Sequence, residues 1–322
     1  MRLASKGKQT AQHAKNVGSP DLLNALVVAS YGRHFLARDA EGEIWQVYGK
    51  GKRRDVAVGD EISILPSGDK QAWIEEIQTR RNLVYRSDAL KSKMFAANLD
   101  GVLLMLAISP PYSTELLGRT LTACKHADVP LTILFNKVDI LEGDQETLDA
   151  VEQELFEITL GEVPTHYISV TEHPQETEAL LRPLLTDKRT LILGQSGMGK
   201  STLINLLIPD ALAATNEISM ALNAGKHTTT HTQMHFGEQG LELIDSPGFQ
   251  AFGLHHLSEV DLLNAFSDLR DEGNKCRFAN CQHKREPDCA VKNGLEDGTL
   301  SPARYELYQM LKAELEEAQS QY

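Results

Sequence analysis

Eight consecutive residues, Gly194-Gln195-Ser196-Gly197-Met198-Gly199-Lys200-Ser201, have the spacing of a loop that wraps a phosphate chain. The apolar run Leu191 to Leu193 precedes them and Thr202, Leu203, Ile204, Leu206 and Leu207 follow, so the order reads strand, loop, helix. Backbone N–H groups of such a loop turn inward around an anion, which then sits at a helix N-terminus. Gly194, Gly197 and Gly199 permit the positive φ angles and close approach this requires. Lys200 is the expected point charge on the β and γ phosphates, and the Ser201 hydroxyl the expected ligand of the Mg²⁺ that bridges them. A chance glycine-rich match would lack the flanking strand and helix. These residues predict a nucleoside triphosphate site.

Two further stretches offer complementary chemistry. Asn136-Lys137-Val138-Asp139 follows an apolar run, and a carboxylate there can accept two hydrogen bonds from guanine N1 and its exocyclic amine, donors that adenine lacks. Lys137 is expected to lay its stem along the base, and Ser169, after the next apolar run, to support the guanine carbonyl through its backbone. Asp245-Ser246-Pro247-Gly248 follows Leu241 to Ile244. Asp245 can hold Mg²⁺ through water, and the Gly248 N–H can bond a γ-phosphate. Upstream, Gly225-Lys226-His227-Thr228-Thr229-Thr230-His231 presents a run of hydroxyls, from which Thr229 is expected to complete the Mg²⁺ shell.

A metal site is expected near the C-terminus. Of four cysteines, Cys124 lies on an amphipathic stretch and reads as a small core residue, whereas Cys276, Cys281 and Cys289 crowd around His283. Three thiolates and one imidazole fill a tetrahedral shell and leave no position for catalytic water, so a structural zinc is predicted.

The elements that must position these groups follow from pattern and length. A chain of 322 residues suggests two or three domains. Residues 1–20 carry Arg2, Lys6, Lys8 and Lys15 with few apolar residues, which predicts a flexible basic arm. From Ala25 to Ile77, five short β-rich runs separated by Gly and Asp turns predict a small closed barrel of the oligonucleotide-binding kind. Its Arg33, Trp45, Tyr48, Lys50, Lys52, Arg53 and Arg54 could bind phosphates and stack bases, or could simply be solvated turns and core aromatics. Beyond Arg81, strands and helices alternate as in an α/β domain with a mostly parallel sheet: Val102 to Ile108, Leu131 to Phe135 and His166 to Val170 as strands, Ser113 to Ala127, Gln145 to Leu160 and Glu176 to Leu185 as helices. At the end, Ser258 to Leu269 reads as one capped helix, and Ser301-Pro302 opens another with Tyr308, Leu311, Leu315 and Ala318 on one face.

Charge is unevenly distributed. The formal net charge is −13, but residues 1–90 hold 14 Lys and Arg against 11 Asp and Glu, a balance of +3, and the remainder carries −16. A basic front module on an acidic body can still meet RNA locally. No apolar run reaches the roughly 18 residues of a membrane span and no secretory signal is evident, so the expectation is a cytoplasmic protein without a membrane partner.

The parts are those of a GTPase in an unusual order, because the guanine motif at Asp139 precedes the phosphate loop at Gly194. Joined as a circle and recut, the order becomes ordinary, a change tolerated when the original termini lie close together. With Gly194 to Thr202, Asn136 to Asp139, Lys226-His227-Thr228-Thr229-Thr230, Asp245 to Gly248 and Cys276-x4-Cys281-x-His283-x5-Cys289, the chain resembles the circularly permuted, ribosome-associated GTPases called RsgA or YjeQ. The resemblance implies a multidomain chain: a basic arm at 1–20, an oligonucleotide-binding (OB-fold) β-barrel at 21–88, a circularly permuted α/β P-loop GTPase domain at 89–255 and an α-helical zinc-binding domain at 256–322. It implies GTP hydrolysis to GDP and phosphate, stimulated by the small ribosomal subunit and its rRNA in late maturation, by a chain expected to act as a monomer. Val170 departs from the alanine usual there, and Lys226 from the commoner Arg or Gln. Phe249 stands where Ras-like GTPases place a water-orienting Gln, and a phenyl ring cannot orient water. The imidazole of His227 can, and the resemblance points to the same residue as catalytic, beside Lys200 and Thr229. Two other classes remain open at this stage: a binding module whose GTP site only holds conformation, and a P-loop kinase or ATPase, against which Asn136 and Asp139 weigh.

Overall fold

The computed structural model describes residues 22–32, 34–50, 55–87, 92–211, 231–246, 253–254 and 256–320. The first unit is a closed barrel of five strands: β1 (Leu23–Ser30), β2 (Phe35–Asp39), β3 (Ile44–Gly49), β4 (Glu61–Gly68) and β5 (Gln71–Ile77). Strand β1 pairs with both β2 and β4, β2 with β3, β5 with β4, all antiparallel, and a parallel β3–β5 pairing closes the circle. Period-2 alternation drives this, since Ala25, Val27, Phe35, Ala37, Val47, Ile62, Ile64, Ala72 and Ile74 all face one core.

A two-stranded hairpin, β6 (Leu83–Ser87) with β7 (Ser92–Ala97), leads out of the barrel. Sequence pattern did not predict it. Next comes a parallel sheet of β8 (Gly101–Ala107), β9 (Leu131–Asn136), β10 (Thr165–Ile168), β11 (Arg189–Leu193) and β13 (Glu242–Asp245), in the spatial order β10-β9-β8-β11-β13, with β12 (Thr232–Phe236) antiparallel beside β13. Helices α1 (Thr114–Ala127), α2 (Gln145–Thr159), α3 (Pro174–Leu185) and α4 (Lys200–Leu207) cover it. The unbroken apolar run of β8 is explained by burial on both faces: Val102, Leu104 and Leu106 join one core cluster, Leu103, Met105 and Ala107 the other. Helix α1 starts where Ser113 Oγ accepts from the Leu116 N–H at 3.1 Å and stops at Asp128 in the left-handed region, and Cys124 is buried on it.

Barrel and α/β unit share one sheet. Strand β1 also pairs with β12, through Ala29 with Gln233 and Ser30 with Thr232, giving eleven strands in sequence across the molecule.

The C-terminal part is helical: α5 (Glu259–Ala265), α6 (Ser267–Gly273), α7 (Ala290–Glu296) and α8 (Pro302–Ser320). The single helix expected over Ser258 to Leu269 is two, because Phe266 leaves helical geometry at φ −112°, ψ 59° to bury its ring against Tyr308 and beneath Arg304. Helix α8 buries Tyr308, Leu311 and Leu315 and docks on α1, where Gly118 makes room: a Cβ there would lie 2.9 Å from Leu307 Cδ2. Arg304, only 2% exposed, clamps the joint by donating to Asp268 Oδ1 at 2.9 Å, to Ala265 O at 3.0 Å and to Ile158 O at the end of α2. No helix of the described residues is long and apolar enough to cross a membrane.

Candidate functional site

Strand β11 lies between β8 and β13, so the loop leaving its C-terminal end opens at the centre of the parallel sheet, where such folds bind ligands. Gly194, Gly197 and Gly199 adopt φ of 147°, 83° and 104°. The space is as demanding as the dihedrals: a Cβ on Gly194 would stand 2.6 Å from the Met105 carbonyl, and one on Gly199 2.4 Å from Asn136 Nδ2. Met198, between them, is fully buried and anchors the loop, while Ser196, Ser201 and Thr202 are exposed at its mouth.

Lys200 opens α4 and is 9% exposed, its Nζ donating to the carbonyls of Gly194 at 2.6 Å and Gln195 at 2.8 Å. Its ammonium is thereby held inside the curve of the loop. Burial lowers its pKa, and the nearby Asp245 carboxylate opposes that shift. Asp245 ends β13, and burial pushes its carboxyl up to about 6 against the pull of Lys200. A cation and a carboxylate without full solvation thus face the place where phosphate and metal charge would be neutralised.

The guanine motif is fastened to the same loop. Asn136, 3% exposed at the end of β9, donates Nδ2–H to the Met198 carbonyl at 2.8 Å and accepts at Oδ1 from the Val170 N–H at 3.1 Å. Lys137 has φ 65° and reaches Ser109 O at 2.6 Å. Val138 and Asp139 enter a 3₁₀ turn, Val138–Leu141, and the Ser169 hydroxyl donates to Asp139 Oδ1 at 2.5 Å while accepting from the Glu172 N–H at 3.2 Å. The carboxylate is therefore aimed by a neighbouring strand end.

One wall of this pocket was missed from sequence. The β8–α1 connection brings Pro110 beneath Gly197, whose ideal Cβ would be 3.2 Å from Pro110 Cδ, and the Ser113 N–H donates to the Gln195 side chain at 3.0 Å. Prolines at 110 and 111 after an apolar strand were the available signal. Lys226, His227, Thr228, Thr229, Thr230, Pro247, Gly248 and Phe249 lie outside the described residues, as do Arg33, Lys52, Arg53, Arg54 and the arm at 1–20.

A second centre sits between α6 and α7. Ligand atoms of Cys276, Cys281, His283 and Cys289 all lie within 4.8 Å of one another. Cys276 Sγ is 3.9 Å from Cys289 Sγ, and His283 Nδ1 is 3.5 Å from both sulfurs. A tetrahedral ion with the usual Zn–S and Zn–N bonds spaces its ligands by about 3.8 Å for two sulfurs and about 3.6 Å for sulfur and nitrogen. The donor set and its spacing fit that group. The Tyr305 hydroxyl holds the His283 carbonyl at 2.7 Å, and burial lowers the His283 pKa, favouring the neutral imidazole a metal needs. Glu286 accepts from the N–H groups of Gln282, Lys284 and Arg285 and so knits the ligand loop.

A phosphate loop and a guanine motif on one parallel sheet, with the guanine motif first in the chain, define a circularly permuted P-loop GTPase. Residues 77–255 match the model of the RsgA GTPase family. The small ribosomal subunit biogenesis GTPase RsgA of Burkholderia pseudomallei (strain K96243) is 44% identical over 305 residues, covering 94% of this chain and 95% of that protein. Its counterpart in Paraburkholderia phymatum is 45% identical over 300 residues, 92% and 93% of the two chains. Among solved structures, YjeQ from Thermotoga maritima superposes with a TM-score of 0.67 at 26% identity over 91% of this chain and 98% of that one. YloQ, described as a circularly permuted GTPase, gives 0.64 at 26% identity over 95% and 98%. The chain belongs to the RsgA GTPase family.

Proposed function

We propose that this GTPase hydrolyses GTP to GDP and phosphate while bound to the small ribosomal subunit during its late maturation, and that the subunit accelerates turnover. The reading is supported above all by the Asn136 brace, which ties the Asn136–Asp139 motif to the phosphate loop through the Met198 carbonyl. Relatives at 44% identity carry small ribosomal subunit biogenesis in their names.

In this reading Asp139 selects guanine, Lys137 and Ser169 line the base, and the backbone from Gly194 to Thr202 with Lys200 cradles the phosphates. Ser201, Thr229 and Asp245 would hold Mg²⁺, which would supply charge neutralisation to the phosphates. The Gly248 N–H reports the γ-phosphate, and His227 orients the attacking water. Zinc on Cys276, Cys281, His283 and Cys289 is structural, since the four ligands complete its shell.

The units at 21–88, 89–255 and 256–322 act as a barrel, a GTPase and a helical bracket, in a cytoplasmic monomer. The barrel meets rRNA through Lys50, Trp45 and Tyr48, helped by the basic arm, as the +3 balance of residues 1–90 favours. Measurement of GTP turnover with and without purified small subunits tests the reading: stimulation is expected, and equal rates, or stimulation by large subunits instead, would overturn it.

A further inference from the structure

The connection between β8 and α1, residues 108–113, touches both halves of the nucleotide site. On the guanine side the Ser109 carbonyl accepts from Lys137 Nζ at 2.6 Å. On the phosphate side the Ser113 N–H donates to the Gln195 side chain at 3.0 Å, and Pro110 fills the space beneath Gly197. The stretch from Ser109 to Ser113 therefore sets the spacing of the two motifs. Tyr112 holds this stretch in place. Its ring meets the fully buried Phe135, the neighbour of Asn136, edge-on, with 5.8 Å between centroids and 87° between planes, and it packs against both core clusters that flank β8. Its hydroxyl donates to the Glu154 carboxylate on α2. Burial, and after it that carboxylate, push the Tyr112 pKa up, so the O–H remains a donor around neutral pH.

We propose that Tyr112 is a positioning residue for guanine-nucleotide binding, its hydroxyl latching the β8–α1 connection to Glu154 and so slowing GDP release. It acts through its chain neighbours, since Ser113 follows it and Ser109 lies three residues before it. A hydrogen bond to a carboxylate is stronger than one between neutral groups. Connecting segments open locally at lower free energy than the elements they join, so the latch decides how often this wall parts from Gln195 and Lys137. Lys200 and Asp245 are set by α4 and β13 instead. A loosened connection thus changes how long nucleotide stays and not how fast a bound GTP is cleaved. The inference rests on the guanine-nucleotide reading of the pocket.

The test is the dissociation rate of a fluorescent GDP from the full chain with Mg²⁺, beside single-turnover hydrolysis of GTP with enzyme in excess. Tyr112→Phe keeps the ring and loses the donor: GDP should leave about tenfold faster, with the single-turnover rate within about twofold of wild type. Glu154→Ala should reproduce the effect, and it carries the test should Tyr112→Phe fail to fold. Glu154→Gln, which keeps an acceptor, should stay within about threefold of wild type, and Tyr112→Phe in the Glu154→Ala background should add nothing. Ser301→Ala is the control: it removes the 2.9 Å bond from Ser301 to Glu157, another anchor of the same helix, and should leave GDP release unchanged. Wild-type release from Tyr112→Phe, a single-turnover rate that falls as much as release rises, additive effects in the double variant, or equal acceleration by Ser301→Ala would overturn the inference. A wild-type chain that binds no GDP would instead sink the guanine-nucleotide reading itself.

Discussion

The side-chain amide of Asn136 donates to the Met198 carbonyl at 2.8 Å while its oxygen accepts from Val170 at 3.1 Å, so one buried group ties the guanine motif, the phosphate loop and the exit of β10 together. Removal leaves a buried carbonyl and a buried N–H without partners, at about 1–3 kcal/mol each. Asn136→Ala should therefore weaken GTP and GDP alike by on the order of 10–100-fold. Titration with a fluorescent GDP checks this, and unchanged affinity would show that the brace is dispensable.

Guanine specificity should reside in Asp139, whose carboxylate is aimed by Ser169 at 2.5 Å. Asp139→Asn is expected to weaken GTP and to favour xanthosine triphosphate, whose ring carries a carbonyl where guanine has its amine. Competition assays with both nucleotides and ATP decide it. Equal ATP and GTP binding by the wild type would contradict the assignment.

Hydrolysis on the ribosome should need His227. His227→Ala is expected to lower stimulated turnover by on the order of 10²-fold with GTP binding retained. Unchanged turnover would transfer the role to His231 or to the partner.

Metal analysis of protein purified without added zinc should find one equivalent. Chelation should melt the segment from α6 to α7 and lower the thermal midpoint, while the guanine pocket, more distant in the fold, keeps its ligand selectivity. A metal-free chain with an unchanged melting curve would remove the structural role.

Much of this was legible because local chemistry dictates it. The barrel strands declare themselves by alternation, the phosphate loop by its glycines, α1 by the Ser113 cap, and the metal cluster by spacing. What escaped was determined by distant partners. Phe266 fits the helical period of its neighbours, and only Tyr308 and Arg304, about 40 residues away, explain why the helix breaks there. Arg304 and Lys312 carry charges whose burial no local pattern signals, yet each is 2% exposed and bonded to groups from other elements. The pairing of Ala29 with Gln233 carries no signal in either strand alone, since β edges are joined by backbone groups that every residue possesses.

That pairing also bears on how the molecule can be taken apart. Deleting the barrel would uncover β12 as a bare strand edge, with the unpaired N–H and C=O groups that recruit other chains into sheet-to-sheet aggregation. Poor solubility of a GTPase fragment beginning after the barrel would then report an exposed edge and not an inactive enzyme. A soluble fragment needs the β1 strand retained or replaced by a short charged strand, and only such a fragment would be a fair comparison with the intact chain.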